Sequence, residues 1–125
     1  MKKIINTPNA PAPLGPYNQA VLAGETLFMS GQIAIDPATG ELLSGIEIET
    51  KQVMKNIEAI LTEAGMTFEN VVKSSIFLSD MNNFGIVNEI YGSCFNEDTA
   101  PARETVQVAK LPKGVSVEIS VIATY

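Results

Sequence analysis

The chain has no histidine, no tryptophan, one cysteine (Cys94) and one arginine (Arg103) in 125 residues. Each shortage removes a class of chemistry. Without histidine there is no imidazole to act as general base or to activate a serine or cysteine nucleophile. A single cysteine forms no internal disulfide, and with no histidine beside it the usual zinc ligand sets are out of reach. No D-x-D-x-D-G loop marks a calcium site. The longest apolar runs, such as the one around 120–123, fall far short of the roughly 18 residues a membrane span needs. The opening MKKIINTPNA carries two lysines but no apolar stretch behind them. No signal peptide is read there, and the cytoplasm is the default compartment.

Positive charge is scarce as well. Fourteen acidic residues against eight basic ones leave a net charge of −6. Seven scattered lysines and a lone arginine make no surface that could displace counterions from phosphate, which argues against a nucleic-acid partner. What is present is a globular composition, 46% hydrophobic and 18% charged. It suits one domain over residues 1–125 that buries roughly two-thirds of its unfolded surface.

Lys3 to Asn6 reads as a short strand, ended by the loop TPNAPAPLGP, which holds four of the seven prolines and is extended rather than helical. That loop leads through Gly15-Pro16 to Tyr17. Asn18 to Ala23 and Thr26 to Ser30 flank Gly24-Glu25 as a hairpin. Gly31 follows at once, where backbone can approach a neighbour closely. The clearest helix is Ile48 to Ala64. Val53, Met54, Ile57, Ile60, Leu61 and Ala64 form its apolar stripe, and Gly65 is a good terminator. Glu49, Lys51, Lys55, Glu58 and Glu63 read as its solvated face. Val71 to Ser79 is a strand, and Asp80 offers a cap for a second helix over about Asn82 to Asn96. Cys94, on that helix's apolar face, reads as an inert core residue.

Two strands complete the chain, Arg103 to Ala109 and Val115 to Thr124, joined through Leu111-Pro112-Lys113-Gly114. In the last, Val115, Val117, Ile119 and Val121 alternate with Ser116, Glu118 and Ser120. In the one before it, Val106 and Val108 oppose Thr105 and Gln107. The order is that of an α+β domain, a mixed sheet with two helices on one face. The valines are expected to pack those helices. The other sheet face is expected to carry small polar residues (Thr105, Ser116, Ser120, and Ser75 or Ser79), either wet or covered by a partner subunit.

In such a chain, chemistry on a small molecule must come from Arg103, carboxylates, hydroxyls, amides and backbone. An arginine opening a strand is ordinarily a surface residue with a loose ion pair. Its planar fork also suits a bidentate grip on a carboxylate, which lysine cannot match. Glu118 is a carboxylate inside a β-branched strand, facing either solvent or a site. Tyr17 could be a packed aromatic with its hydroxyl at the surface. Asn88, in mid-helix, would ordinarily face water. Glu104, beside the arginine, is read as solvated and on the opposite side of the strand.

GPY at 15–17, SGQI at 30–33, DPATGE at 36–41, PAR at 101–103, LP at 111–112 and VEI at 117–119 occur in that order. With these motifs the chain resembles, over essentially its whole length, the RidA (YjgF-type) family of reactive-intermediate deaminases, which hydrolyse enamines and imines. The resemblance implies a chorismate mutase-like fold and a homotrimer with sheets facing inward and sites between subunits. It implies that Arg103 binds the substrate carboxylate and that Glu118 positions or activates water. It also implies that Tyr17, Ser30, Gly31, Asn88 and Thr105 line the pocket. The expected substrates are 2-iminobutanoate and 2-iminopropanoate, converted to 2-keto acids and ammonia with no metal or organic cofactor. Glu104 replaces a residue that is small in most members, and Ser120 replaces an acidic one. Thr105 stands where many carry cysteine. Two other readings stay open, a binding or regulatory module for a 2-keto acid or amino acid, and an endoribonuclease.

Overall fold

The computed structural model describes residues 1–125. The element order is β1 (Lys2–Ile5), β2 (Ala20–Ala23), β3 (Thr26–Met29), α1 (Ile46–Glu63), β4 (Val71–Leu78), α2 (Phe84–Gly92), β5 (Ala102–Gln107) and β6 (Val117–Thr124). The six strands make one sheet in the order β1-β2-β3-β6-β4-β5. Only β4 and β5 are parallel, joined by the α2 crossover; every other neighbouring pair is antiparallel. This is the expected mixed α+β sheet with both helices on one face.

Sequence accounts for most of these elements locally. The β2–β3 hairpin turns on Gly24 at φ 61°, which the missing Cβ permits. The predicted stripe of α1 is buried from Val53 to Ala64, and Gly65 at φ 73° ends the helix. Each large side chain in that stripe contributes roughly 1.5–3 kcal/mol by leaving water. They pack on Leu27, Ile76, Leu78, Val117, Ile119 and Val121, the helix side of the central strands. No helix is long and apolar enough to cross a membrane.

Three expectations need correction. The second helix is shorter than read. Asp80 does cap a turn, accepting from the Asn82 N–H at 2.9 Å, but that turn is 3-10 and the α-helix runs only from Phe84 to Gly92. Beyond it Phe95 packs on Tyr91 and Phe68 at ring distances of 4.7 and 5.3 Å, and Asn96 caps the next turn instead of extending α2. Glu49 is not solvated. Its side chain is buried and accepts from the Gly45 and Ser116 N–H groups at 3.2 and 2.9 Å, tying the start of α1 to the loop entering β6. The predicted faces of β5 are exchanged. Thr105 pairs with Ile76 and shares the helix side, whereas Val106 pairs with Phe77 on the open side. The parallel register with β4 decides this, and alternation within β5 alone could not.

The open sheet face is therefore less polar than expected. Ser75 and Ser120 are there, paired with each other, but Thr105 is not. Phe28 (48% exposed), Val106 (41%) and Ile4 (41%) stand on it, leaving apolar side chains uncovered toward both edges of the sheet.

Candidate active site

Glu118 and Gly31 make the closest approach. After β3 the chain returns to β6 through a single bridge, with Gln32 and Ile119 exchanging backbone hydrogen bonds of 2.8 and 3.1 Å. That bridge lays Gly31 against the Glu118 side chain. A Cβ on residue 31 would lie 2.6 Å from Oε2, 2.8 Å from Cδ and 3.0 Å from Cγ of Glu118. The backbone does not need glycine there, because Gly31 lies outside the left-handed region. The carboxylate does. It accepts no hydrogen bond and joins no ion pair, and burial alone raises its pKa above the usual glutamate range.

Glu118 opens on a cleft of about 410 Å³ that also takes in Tyr17, Ser30 and Gly31. Four predicted site residues thus meet in one chain. Tyr17 is half exposed, its hydroxyl accepting weakly from the Leu14 N–H at 3.4 Å. Ser30 is committed to backbone, donating to the Asn18 carbonyl at 2.6 Å. The apolar wall is the proline-rich loop, with Pro11, Ala12 and Leu14. Gln19 holds that loop. Its buried amide accepts from Thr7 N at 2.7 Å and faces the carbonyls of Thr7, Ala10 and Pro11 at 2.9–3.2 Å.

Arg103, Asn88 and Thr105 form a second group, on the other side of the sheet. Arg103 aligns with Ser74, whose side chain points to α2, so the guanidinium rises toward that helix. Its Nη1 donates to Asn88 Oδ1 at 2.6 Å, and its Cζ lies 5.3 and 5.7 Å from the Tyr91 and Phe84 ring centroids. No carboxylate pairs with it. Glu104 points the opposite way, as expected, but it is engaged: Ser75 Oγ donates to it and Lys73 pairs with it at 2.9 Å. These two partners, Ser75 first, lower its pKa. It does not compete for the Arg103 fork. Thr105 Oγ1 is buried and has no hydrogen-bond partner. Cys94 is half-buried, and burial raises its thiol pKa, the reverse of an activated nucleophile.

Sequence reasoning passed over four contributors. Phe84 and Tyr91 read only as a helix's apolar face, with nothing to show that Arg103 would lie over them. Gln19 is one glutamine among several; only its burial singles it out. Lys113 lines the Glu118 cleft from the turn Pro112–Gly114, at φ 58° and ψ 15°. No residue pattern marks a lysine for that conformation, which glycine and asparagine adopt more readily.

Fold and cleft define a class of protein, a small α+β domain whose one open carboxylate lies in a pocket of metabolite size at the end of a sheet. Comparison with known proteins gives the family. The family model described as Endoribonuclease L-PSP matches residues 7–125, and the chain belongs to this family, the RidA or YjgF-type proteins. A RutC family protein of Synechocystis sp. is 55% identical over 123 residues, covering 97% of this chain and 95% of its own. The 2-iminobutanoate/2-iminopropanoate deaminase of Mus musculus is 49% identical over 124 residues, covering 98% of this chain and 91% of its own. Among solved structures, E. coli TdcF with bound serine superposes with a TM-score of 0.93 at 41% identity, covering 98% of each chain.

Proposed function

We propose that the protein is a cytoplasmic 2-imino acid deaminase, hydrolysing 2-iminobutanoate and 2-iminopropanoate at sites shared between neighbouring copies of a homotrimer. The observation that carries this reading is a pair of unspent charges. Glu118 has no partner in its cleft, and Arg103 has no counter-charge on the far side of the sheet. Neither can reach the other within one chain, and the apolar side chains Ile4, Phe28 and Val106 on the open face are uncovered. A neighbouring copy packed on that face would bring its own arginine edge to the cleft. The mouse relative's name and the serine held by TdcF agree with a small amino-acid-derived ligand.

The chemistry suits a site without histidine. An imine carbon is already electrophilic, more so when its nitrogen is protonated. Arg103 would grip the substrate carboxylate bidentately, with Asn88 fixing the guanidinium plane. Glu118, with its raised pKa, would orient a water and take its proton as the oxygen bonds to the C=N carbon. The carbinolamine formed then collapses: the C–N bond breaks, the proton goes to nitrogen, and ammonia leaves a 2-keto acid. Base assistance of this kind contributes about 10²–10⁴-fold, and orientation adds to it. Thr105 Oγ1, orphaned beside Arg103, is a hydroxyl free to meet the ligand.

The test couples a pyridoxal-phosphate threonine dehydratase to the purified protein and follows the imine by semicarbazone trapping. Faster loss than in solvent is expected, abolished in Arg103→Ala and in Glu118→Ala. Refolding the two variants together should restore about one quarter of the wild-type sites. In a cyclic trimer each mixed ring holds one site with both residues intact. Solvent-rate hydrolysis with the wild type would overturn the deaminase reading, and absent complementation would overturn the shared site.

A further inference from the structure

We propose that Lys113 is a capture residue, selecting ligands with a free carboxylate at the mouth of the Glu118 cleft. This rests on the reading of that cleft as the imine site. The chain carries a net charge of −6, and the cleft's own titratable base is a carboxylate. Both repel a 2-imino acid on approach. Arg103 of the same chain lies across the sheet, so Lys113 is the one basic side chain that the chain itself gives the cleft, and a neighbour's Arg103 would join it only on assembly.

Three further observations set it apart from an ordinary turn lysine. It is the only non-glycine residue with positive φ, although an asparagine or glycine would hold that turn with less strain. Its ammonium has no acidic partner, since the two salt bridges are Lys51–Glu47 and Lys73–Glu104. And it borders a second, apolar pocket of about 280 Å³ that shares Pro11, Ala12, Leu14 and Ile35 with the cleft. A cation at that junction holds the charged end of an entering ligand toward Glu118 and lets its apolar tail lie along the proline-rich loop. The ligand class that fits is a 2-imino or 2-keto acid with a free carboxylate and an aliphatic side chain. Esters and amides lose the contact.

The probes are 2-oxobutanoate and its methyl ester, titrated calorimetrically at low and high salt into the wild type, Lys113→Asn and Lys113→Arg. Asparagine keeps the left-handed backbone and removes the charge, so the fold should survive, as a thermal melt would verify. Removing one cation near the anion in a partly wet cleft should weaken 2-oxobutanoate about three- to tenfold. The salt dependence of its binding should shrink by about half. Affinity for the methyl ester should not move, and arginine should restore the anion. In the coupled assay KM should rise by the same factor with kcat within about twofold. Equal 2-oxobutanoate affinity and salt dependence in wild type and Lys113→Asn would overturn the proposal, leaving a solvated turn lysine. Equal weakening of acid and ester would overturn it too, by showing a structural effect. Because the titrations need no turnover, they tell the two failures apart: an inactive wild type refutes the deaminase reading, and equal titrations of wild type and Lys113→Asn refute anion capture.

Discussion

Replacing Gly31 by alanine should disable the cleft while leaving the backbone untouched. Residue 31 is not in the left-handed region, so an alanine there meets no intrinsic strain. What it meets is Glu118. The new Cβ would stand 2.6 Å from Oε2, against ordinary contact beginning near 3.4 Å, so the carboxylate must retreat by about 0.8 Å. The Cγ, also too close at 3.0 Å, forces the retreat to begin near the root of the side chain. Overpacking of this kind costs about 1–2 kcal/mol, or about 4–8 °C in melting temperature for a chain of this size. A displacement approaching 1 Å costs about 10²-fold in kcat. Thermal melts and semicarbazone kinetics on Gly31→Ala, Glu118→Ala and the double variant separate the two effects. With Glu118 truncated, all three close atoms are gone and Gly31→Ala should cost almost nothing, giving a coupling of about 1–2 kcal/mol. An equal melting penalty in both backgrounds would refute the argument. So would a Gly31→Ala enzyme within twofold of wild-type kcat.

Because burial raises the Glu118 pKa, kcat/KM should climb with pH along a limb centred above the normal glutamate range, since only the ionised carboxylate accepts water's proton. Glu118→Gln should erase that limb. The stability consequence has the opposite sense: the folded state holds the proton more tightly than the unfolded, so stability falls as pH rises from about 4.3, the unfolded value, through the raised folded value. Gln19→Ala should lower stability by about 2–3 kcal/mol in urea titrations, because it strands the Thr7 N–H and several loop carbonyls together. Thr105→Val, nearly equal in volume, removes a buried hydroxyl that no protein group satisfies. It should leave stability equal or raise it by up to about 1 kcal/mol while weakening 2-oxobutanoate binding, and a loss of stability would show that the hydroxyl does have a structural partner.

The elements were legible because their signals are local. The α1 stripe, the Gly24-Glu25 hairpin and the alternation of β6 are each written within a few residues, and each formed near its predicted bounds. Gly31 was readable as a point of close approach, though not as the seat of Glu118. Two of the errors share one physical cause: they concern which neighbour a residue meets across the fold. The faces of β5 follow from its parallel register with β4, which no pattern inside Arg103–Ala109 encodes. Glu49 sits on α1 where a solvated glutamate would, and only the return of Ser116, 67 residues later, gives it the N–H that keeps it buried. Motif resemblance supplied the candidate site residues, yet it could not say that Arg103 and Glu118 stand on opposite sides of one sheet.

That opposition bears on how the chain behaves before any ligand or neighbour arrives. A guanidinium and a carboxylate folded into one pocket would collapse into an ion pair, and a ligand would then have to break it open at every encounter. Here a layer of hydrogen-bonded backbone insulates one from the other. The arginine rests over two aromatic rings with an amide for company, and the glutamate waits uncharged more readily than usual. Neither is spent on self-neutralisation, so the newly folded chain is chemically quiet yet holds both charges in reserve.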